Sequence, residues 1–291
     1  MGRLDAYLIP AVDGVAYGLL LFVVAAGLML CFGVANILNL AHGTLYAIGA
    51  YTAAAVSDGG TGTLLVALLV GTVAAAAAGL VLAGLLTPVA PGDQLAQALL
   101  TFGVALAGGG LLVVAFGPDD LPVTVPAWLD RPVGLAGHPY AAYRLALIVV
   151  AAGVAVALHL AVARTRAGML ARAAADDERM VACLGVSPTR VRVGVLAAAG
   201  GLAGAAGVLG APLLGPGPGT AATVLLLSLV VVVLGGLGSV GGTFLAALAV
   251  GEIQTLGVTL LPTAAPFLLF AAMAVVLAAR ARGPLRHWSP A

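Results

Sequence analysis

The sequence predicts an all-α, polytopic integral membrane protein of eight or nine transmembrane helices. Three observations predict it. Of 291 residues, 62% are apolar and only 8% charged, against about 25% charged in soluble domains. The mean hydropathy is +1.17. The apolar residues also fall in continuous runs, not in the alternating segments of about ten residues that build a membrane barrel.

A helix crossing a core of about 30 Å needs about 20 apolar residues. Such stretches fall near 14–35, 43–57, 63–87, 94–116, 141–163, 193–214, 220–237, 241–261 and 264–281. The second is short enough to be half a crossing, which is why the count is eight or nine. The chain reads as one transmembrane domain over 1–291. No fixed-period repeat and no boundary divides it.

Arginine placement sets the expected orientation. All twelve basic residues are arginine. Half of them (Arg164, Arg166, Arg172, Arg179, Arg190 and Arg192) lie in the loop at about 164–192. Arg280, Arg282 and Arg286 lie in the tail. Both regions are expected on the cytoplasmic side. The loop at about 117–140 carries Asp119, Asp120 and Asp130 against Arg131 and is expected outside. Its prolines (Pro118, Pro122, Pro126, Pro132 and Pro139) suggest a folded cap. Counting crossings back from these loops puts the N-terminus outside if 43–57 crosses fully. The charges Arg3, Asp5 and Asp13 do not decide it. The start of the chain has no small-x-small cleavage site, which argues against a signal peptide. Leu30 before Cys31 argues against a lipid-anchored cysteine.

The composition also excludes chemistry. Without lysine there is no Walker A loop and no Schiff base. Two cysteines, Cys31 and Cys183, make no disulfide framework. No His/Cys set has metal-ligand spacing, and no nucleophile has a paired base in view. No catalytic residue, metal site, cofactor or nucleic-acid surface is expected.

Four segments carry information. The first, Asn36-Ile37-Leu38-Asn39-Leu40-Ala41-His42-Gly43-Thr44, places polar side chains between two apolar runs. Two readings stand: a helix broken at membrane depth beside a translocation path, or a plain cytoplasmic turn with the asparagines as caps. The second runs from Arg172 to Arg192. Its first part reads as a helix ended by Leu184-Gly185, and Ser187-Pro188 reads as the cap and first position of a new helix. Two helices joined at a glycine make a docking surface; the alternative is a solvated basic loop. The third, Gly236-Leu237-Gly238-Ser239-Val240-Gly241 after Val230-Val231-Val232-Val233, spells a dinucleotide fingerprint. It lacks the βαβ context and the acid about 20 residues on, so it reads as a tight turn between crossings. The fourth is the small-residue face Gly200, Gly204 and Gly207, which suits close helix packing in lipid. Glu252 falls within the eighth stretch, with Gln254 close behind. Such an acid needs a cavity or a partner, and it serves a substrate path or interhelical glue. His159 is expected to be structural, and Arg144 to snorkel.

Taken together, three of these segments resemble the permease subunits of ABC importers for branched-chain amino acids, the LivH type. The resemblance rests on Asn39-Leu40-Ala41-His42-Gly43; on Arg172-Ala173, Ala175, Asp177, Leu184-Gly185-Val186 and Arg190-Val191; and on Leu234-Gly235-Gly236-Leu237-Gly238-Ser239. It spans about 14–285. Leu40 stands where that family has Phe, the loop 88–93 lacks basic residues, and Gln254 stands where an acid is common.

The resemblance implies an ABC importer permease bundle in a bacterial inner or plasma membrane, with a cytoplasmic C-terminus. Its implied partners are two ATP-binding subunits, a second permease subunit forming a heterodimer, and an extracytoplasmic substrate-binding protein. ATP hydrolysis belongs to the partner chains. The implied cargo is a branched-chain or related small amino acid. Another small polar solute (an amide or urea) and an ion-coupled secondary transporter are the alternatives. Asn36, Asn39, His42 and Glu252 are the expected substrate-path residues. Arg172, Ala175, Asp177, Leu184, Gly185 and Arg190 are the expected coupling residues.

Overall fold

The computed structural model describes residues 5–33, 35–90, 92–135 and 138–281. Arg3, Arg282 and Arg286 lie outside the described residues. The chain runs through α1 (Asp5–Gly33), α2 (His42–Val56), α3 (Thr61–Leu86), α4 (Gln94–Phe116), β1 (Pro132–Leu135), β2 (His138–Ala141), α5 (Ala142–Arg164), α6 (Arg166–Asp176), α7 (Glu178–Cys183), α8 (Pro188–Leu214), α9 (Thr220–Gly235), α10 (Val240–Leu260) and α11 (Ala265–Ala281). Six of these helices (α1, α3, α4, α5, α8 and α10) are long and apolar enough to cross a membrane. The apolar helices α2, α9 and α11 have 15, 16 and 17 residues. At about 1.5 Å per residue each falls short of a core of about 30 Å.

Each apolar stretch in the sequence became a helix, with changes at the ends. α1 starts at Asp5 and carries Pro10 and Asp13 inside it. Asp13 is tolerated there because Arg144 of α5 pairs with it and the Tyr140 hydroxyl donates to it at 2.6 Å. Arg144 therefore holds an ion pair where snorkelling was expected. α8 starts at Pro188, not near 193, and continues straight out of the arginine-rich loop. Val230–Val233 are helical, inside α9.

Two helices form the centre. Along α1, the side chains from Leu19 to Met29 are almost all buried. It packs against α5, α8, α9 and α10. α8 packs against α1, α2 and α3, and small residues make that possible. An ideal Cβ at Gly200 would lie 2.4 Å from the Ala75 carbonyl oxygen, one at Gly204 2.6 Å from that of Gly71, and one at Gly207 2.1 Å from that of Tyr46. Only a missing side chain lets these backbones meet. In lipid such van der Waals contact replaces the hydrophobic drive that water would supply.

The 117–140 region is ordered against the bundle. The expected all-α fold gains one element here, a two-stranded antiparallel hairpin with Val133 opposite Tyr140. Periodicity did not mark it, since each strand has only four residues. The Thr124 hydroxyl donates to the Ser57 carbonyl at 3.0 Å, the Trp128 indole to Thr61 at 2.8 Å, and the Leu121 amide to Pro216 at 2.9 Å. These bonds and the Asp13–Tyr140 bond gather the first half of α1, the α2–α3 turn and the α8–α9 turn on one side. The end of α1 lies on the other side, where Gly33 meets Gly238 of the α9–α10 turn. That turn has Gly236 and Gly238 at φ +93° and +84°, and the Ser239 hydroxyl caps α10 through the Gly242 amide.

Candidate functional site: a broken segment beside an apolar groove

α1 ends where Asn36 adopts a left-handed conformation, φ +49°. The Ala35 and Ile37 amides bond back to the Leu30 and Cys31 carbonyls. The chain then turns into the bundle without helical structure. Asn39 is fully buried; its side-chain oxygen accepts from the Ala41 amide at 3.0 Å and its amide reaches the Cys31 sulfur at 3.9 Å. Thr101 of α4, also fully buried, supplies what the missing helix bonds would have supplied. Its hydroxyl accepts from the Leu40 amide at 3.1 Å and lies 3.0 Å from the Leu38 carbonyl and 2.8 Å from that of Gln97. From Ile37 to Ala41 the backbone is buried or half-buried and finds partners within the protein, while Asn36 at its start is exposed.

α2 therefore begins inside the bundle. His42, its first residue, is fully buried. Its Nε2 lies 2.9 Å from the carbonyl oxygen of Val24, well within α1, which fixes Nε2 as the protonated nitrogen. Nδ1 has no partner among the described residues. The ring also borders Gly27, so it is aimed at α1.

The opposite side of the same segment borders a cleft of about 350 Å³. Leu40, Gly43 and Thr44 form one wall, α4 from Phe102 to Val113 the second, and Pro218 to Leu225 the third. The lining is almost wholly apolar, with Gly109 and Gly110 keeping the α4 wall flat. The Thr44 hydroxyl is occupied, donating to the Ala105 carbonyl at 3.3 Å.

The four residues expected on the path are not brought together. Asn36 is exposed, while Asn39 and His42 are buried in the segment. Glu252 lies elsewhere, in contact range of Gly14 on α1, beside Thr255. Ten residues of α1 separate Gly14 from Val24, a rise of about 15 Å. Oε2 of Glu252 is buried without a partner among the described residues. His159 lies on the exposed face of α5.

The arginine-rich loop folds into the two short helices α6 and α7. The Thr165 hydroxyl caps α6 through the Gly168 amide at 3.0 Å. The Asp177 carboxylate caps α7 through the Met180 amide at 3.0 Å. Gly185 closes α7 at φ +81°. The Val186 amide reaches the Val181 carbonyl and the Gly185 amide that of Ala182, the bond pair of a Schellman motif. Ser187 takes the cap position of α8 through its backbone; its side chain makes no capping bond. Arg172, Ala175, Asp177, Leu184, Gly185 and Arg190 are all exposed, and the apolar Met180 and Leu184 stand out beside them.

The sequence pattern of a family described as the branched-chain amino acid transport system permease component matches residues 11–279. The chain belongs to this permease family. It is also similar to the high-affinity branched-chain amino acid transport system permease protein BraD of Pseudomonas aeruginosa, with 25% identity over 277 residues, 88% of each chain. No solved structure matches the chain.

In this permease the residues around the segment and groove that sequence reasoning did not single out are Thr101 and the α4 glycines. Thr101 sits in an apolar helix with no flanking motif, so its partner 61 residues away was invisible. Gly108-Gly109-Gly110 was the one readable signal on α4, because three glycines in a helix interior are costly and need a reason in packing or access.

Proposed function

We propose that this permease forms one half of the pore of an ATP-driven importer for branched-chain amino acids, and that the groove between the broken segment, α4 and α9 is its share of the substrate path. One observation carries the reading: an apolar, glycine-floored groove runs beside a helix that begins inside the bundle. An aliphatic side chain fits the apolar walls. The positive end of the α2 dipole at Gly43 and Thr44 suits a carboxylate, as at the half-helices of other transporters. The printed description of the family and the name of the Pseudomonas relative support the same cargo.

The exposed elbow formed by α6, Gly185 and the start of α8 is the proposed seat of an ATP-binding subunit. Two such subunits, a second permease chain and an extracytoplasmic binding protein complete the assembly. The arginines of the elbow support a cytoplasmic position for it. The hairpin side, with the N-terminal end of α1, then faces outward, and the C-terminus lies inside. On this reading α2 with its non-helical approach, α9 and α11 complete the crossings, nine in all. Asn39 and His42 hold the segment, Asn36 marks its cytoplasmic end, and Glu252 sits higher along α1.

The test is uptake of radiolabelled leucine by cells carrying the complete transport system. Gly109→Phe adds a ring where a Cβ would meet nothing within 4 Å, so it enters the groove without a backbone clash. Uptake should be lost at normal membrane levels of the protein. Undiminished uptake excludes the groove as the path. Uptake that survives ATP depletion and collapses with the proton gradient excludes the ATP-driven reading.

A further inference from the structure

We infer that Thr101 is a positioning residue for translocation, setting the inner lip of the groove by holding Leu40. Thr101 does not itself line the groove; Leu40 does. The bond from the Leu40 amide to the Thr101 hydroxyl joins them. The inference rests on the groove being the path.

Two observations beyond that bond make the lip a movable part. First, the segment has no regular structure from Ala35 to Ala41. Among the described residues, its long-range backbone contacts beyond α1 are both to Thr101: the Leu40 amide donates to the hydroxyl, and the Leu38 carbonyl shares the hydroxyl's one proton with the Gln97 and Ala98 carbonyls. The Leu40 amide donates to Thr101 across 61 residues of chain, so Thr101 fixes where Leu40 sits. Second, a pocket of about 20 Å³ lies one helical turn below Thr101, bordered by Ile37, Gln97, Thr189 and Arg192. Gln97 is 4% exposed and its side-chain oxygen has no partner among the described residues. A space of this size holds about one water.

The pocket therefore joins three parts. Thr189 and Arg192 belong to the first turns of α8, directly after the Gly185 joint. Ile37 belongs to the broken segment. Gln97 belongs to α4, and its carbonyl lies within reach of the Thr101 hydroxyl. A displacement of the start of α8 is felt at Gln97 and Ile37 across a space that is not tightly filled. Thr101 turns it into a displacement of Leu40.

The experiment compares Thr101→Val and Thr101→Ser in the complete transporter, reconstituted in liposomes. Valine keeps the shape and removes the hydroxyl; serine keeps the hydroxyl. Leucine moved per ATP hydrolysed should fall about tenfold in Thr101→Val, the scale set by a buried amide losing its partner, and return to within about twofold in Thr101→Ser. A second readout needs no transport. In a Cys183→Ser background, Leu40→Cys should react with a membrane-permeant maleimide about tenfold faster when Thr101 is valine than when it is threonine. Wild-type coupling in Thr101→Val, an equal defect in Thr101→Ser, or unchanged Leu40→Cys reactivity each overturns the assignment. Failure of the wild-type protein to move leucine, or free uptake by Gly109→Phe, instead overturns the reading on which it rests.

Discussion

The imidazole of His42 meets the carbonyl oxygen of Val24 at 2.9 Å, across 18 residues of chain. Val24 lies more than two turns before the end of α1, so this bond fixes how far into the bundle α2 begins. Both residues are fully buried or nearly so. The wall of the groove that follows, Gly43 and Thr44, is placed by this pin.

Removing the ring should cost stability. His42→Ala leaves a ring-sized void at a site closed to solvent and should destabilise the fold by about 3 kcal/mol. His42→Gln, which keeps a side-chain N–H able to reach Val24, should lose less. Thermal unfolding of the detergent-solubilised protein measures both. Equal losses would mean that filling the space matters and the bond does not.

The contrast between Gly207 and Gly153 tests the packing of α8. A Cβ at Gly207 would lie 2.1 Å from the Tyr46 carbonyl oxygen, whereas one at Gly153 would meet nothing within 4 Å. Gly207→Ala must push α2 away and should cost about 1–3 kcal/mol. Gly153→Ala should be neutral or stabilising by up to about 1 kcal/mol. The same melting experiment ranks them, and a harmless Gly207→Ala would show that the two helices can separate freely.

Much of this architecture was legible because lipid leaves little choice. Each stretch from 14–35 to 264–281 had to be continuous and apolar, and each became a helix. The ends were harder to read. Asp13 looked like a terminus, and only the fold brings Arg144 and Tyr140 to it. The groove was not legible, for a physical reason. Polar residues were taken as the mark of a path, yet the groove is built from Leu40, Phe102, Leu106 and glycines. In a membrane protein such residues face lipid, neighbours or a cavity with equal ease. His42 and Asn39 lie in the segment that borders the groove, but the His42 ring is turned toward α1 and the Asn39 amide toward Cys31.

The turn between α2 and α3 should respond to acid. The Thr63 hydroxyl donates to Asp58 at 2.6 Å and the Gly60 amide at 2.9 Å. These bonds, the threonine's first, hold the carboxyl below its ordinary range. A lowered folded pKa stabilises the turn above the unfolded value of about 3.9. That contribution is lost as pH falls through the lower folded value. Proteolysis of the 57–63 turn in an acid series should rise in that window for the wild-type protein. Asp58→Ala should show the higher rate at every pH; an identical acid profile in both proteins would remove Asp58 from the account.

Gly185 is where the proposed coupling is most exposed to disproof. Its φ of +81° suits glycine, and a residue with a Cβ pays about 1–2 kcal/mol there. Proline cannot adopt it at all, being fixed near −65°, and it also lacks the N–H that bonds the Ala182 carbonyl. Gly185→Pro should therefore unmake the joint between α7 and α8. Nothing lies within 4 Å of a Cβ at this position, so the bundle itself is not disturbed. The protein should reach the membrane at normal levels while ATP-dependent leucine uptake disappears, with Gly185→Ala intermediate. The order of the three (glycine, alanine, proline) follows from the backbone, through its conformation and the amide bond that proline removes, because no side-chain contact is lost at an exposed position. Normal uptake in Gly185→Pro would show that force does not pass through this joint, even if an ATP-binding subunit is found bound to the elbow.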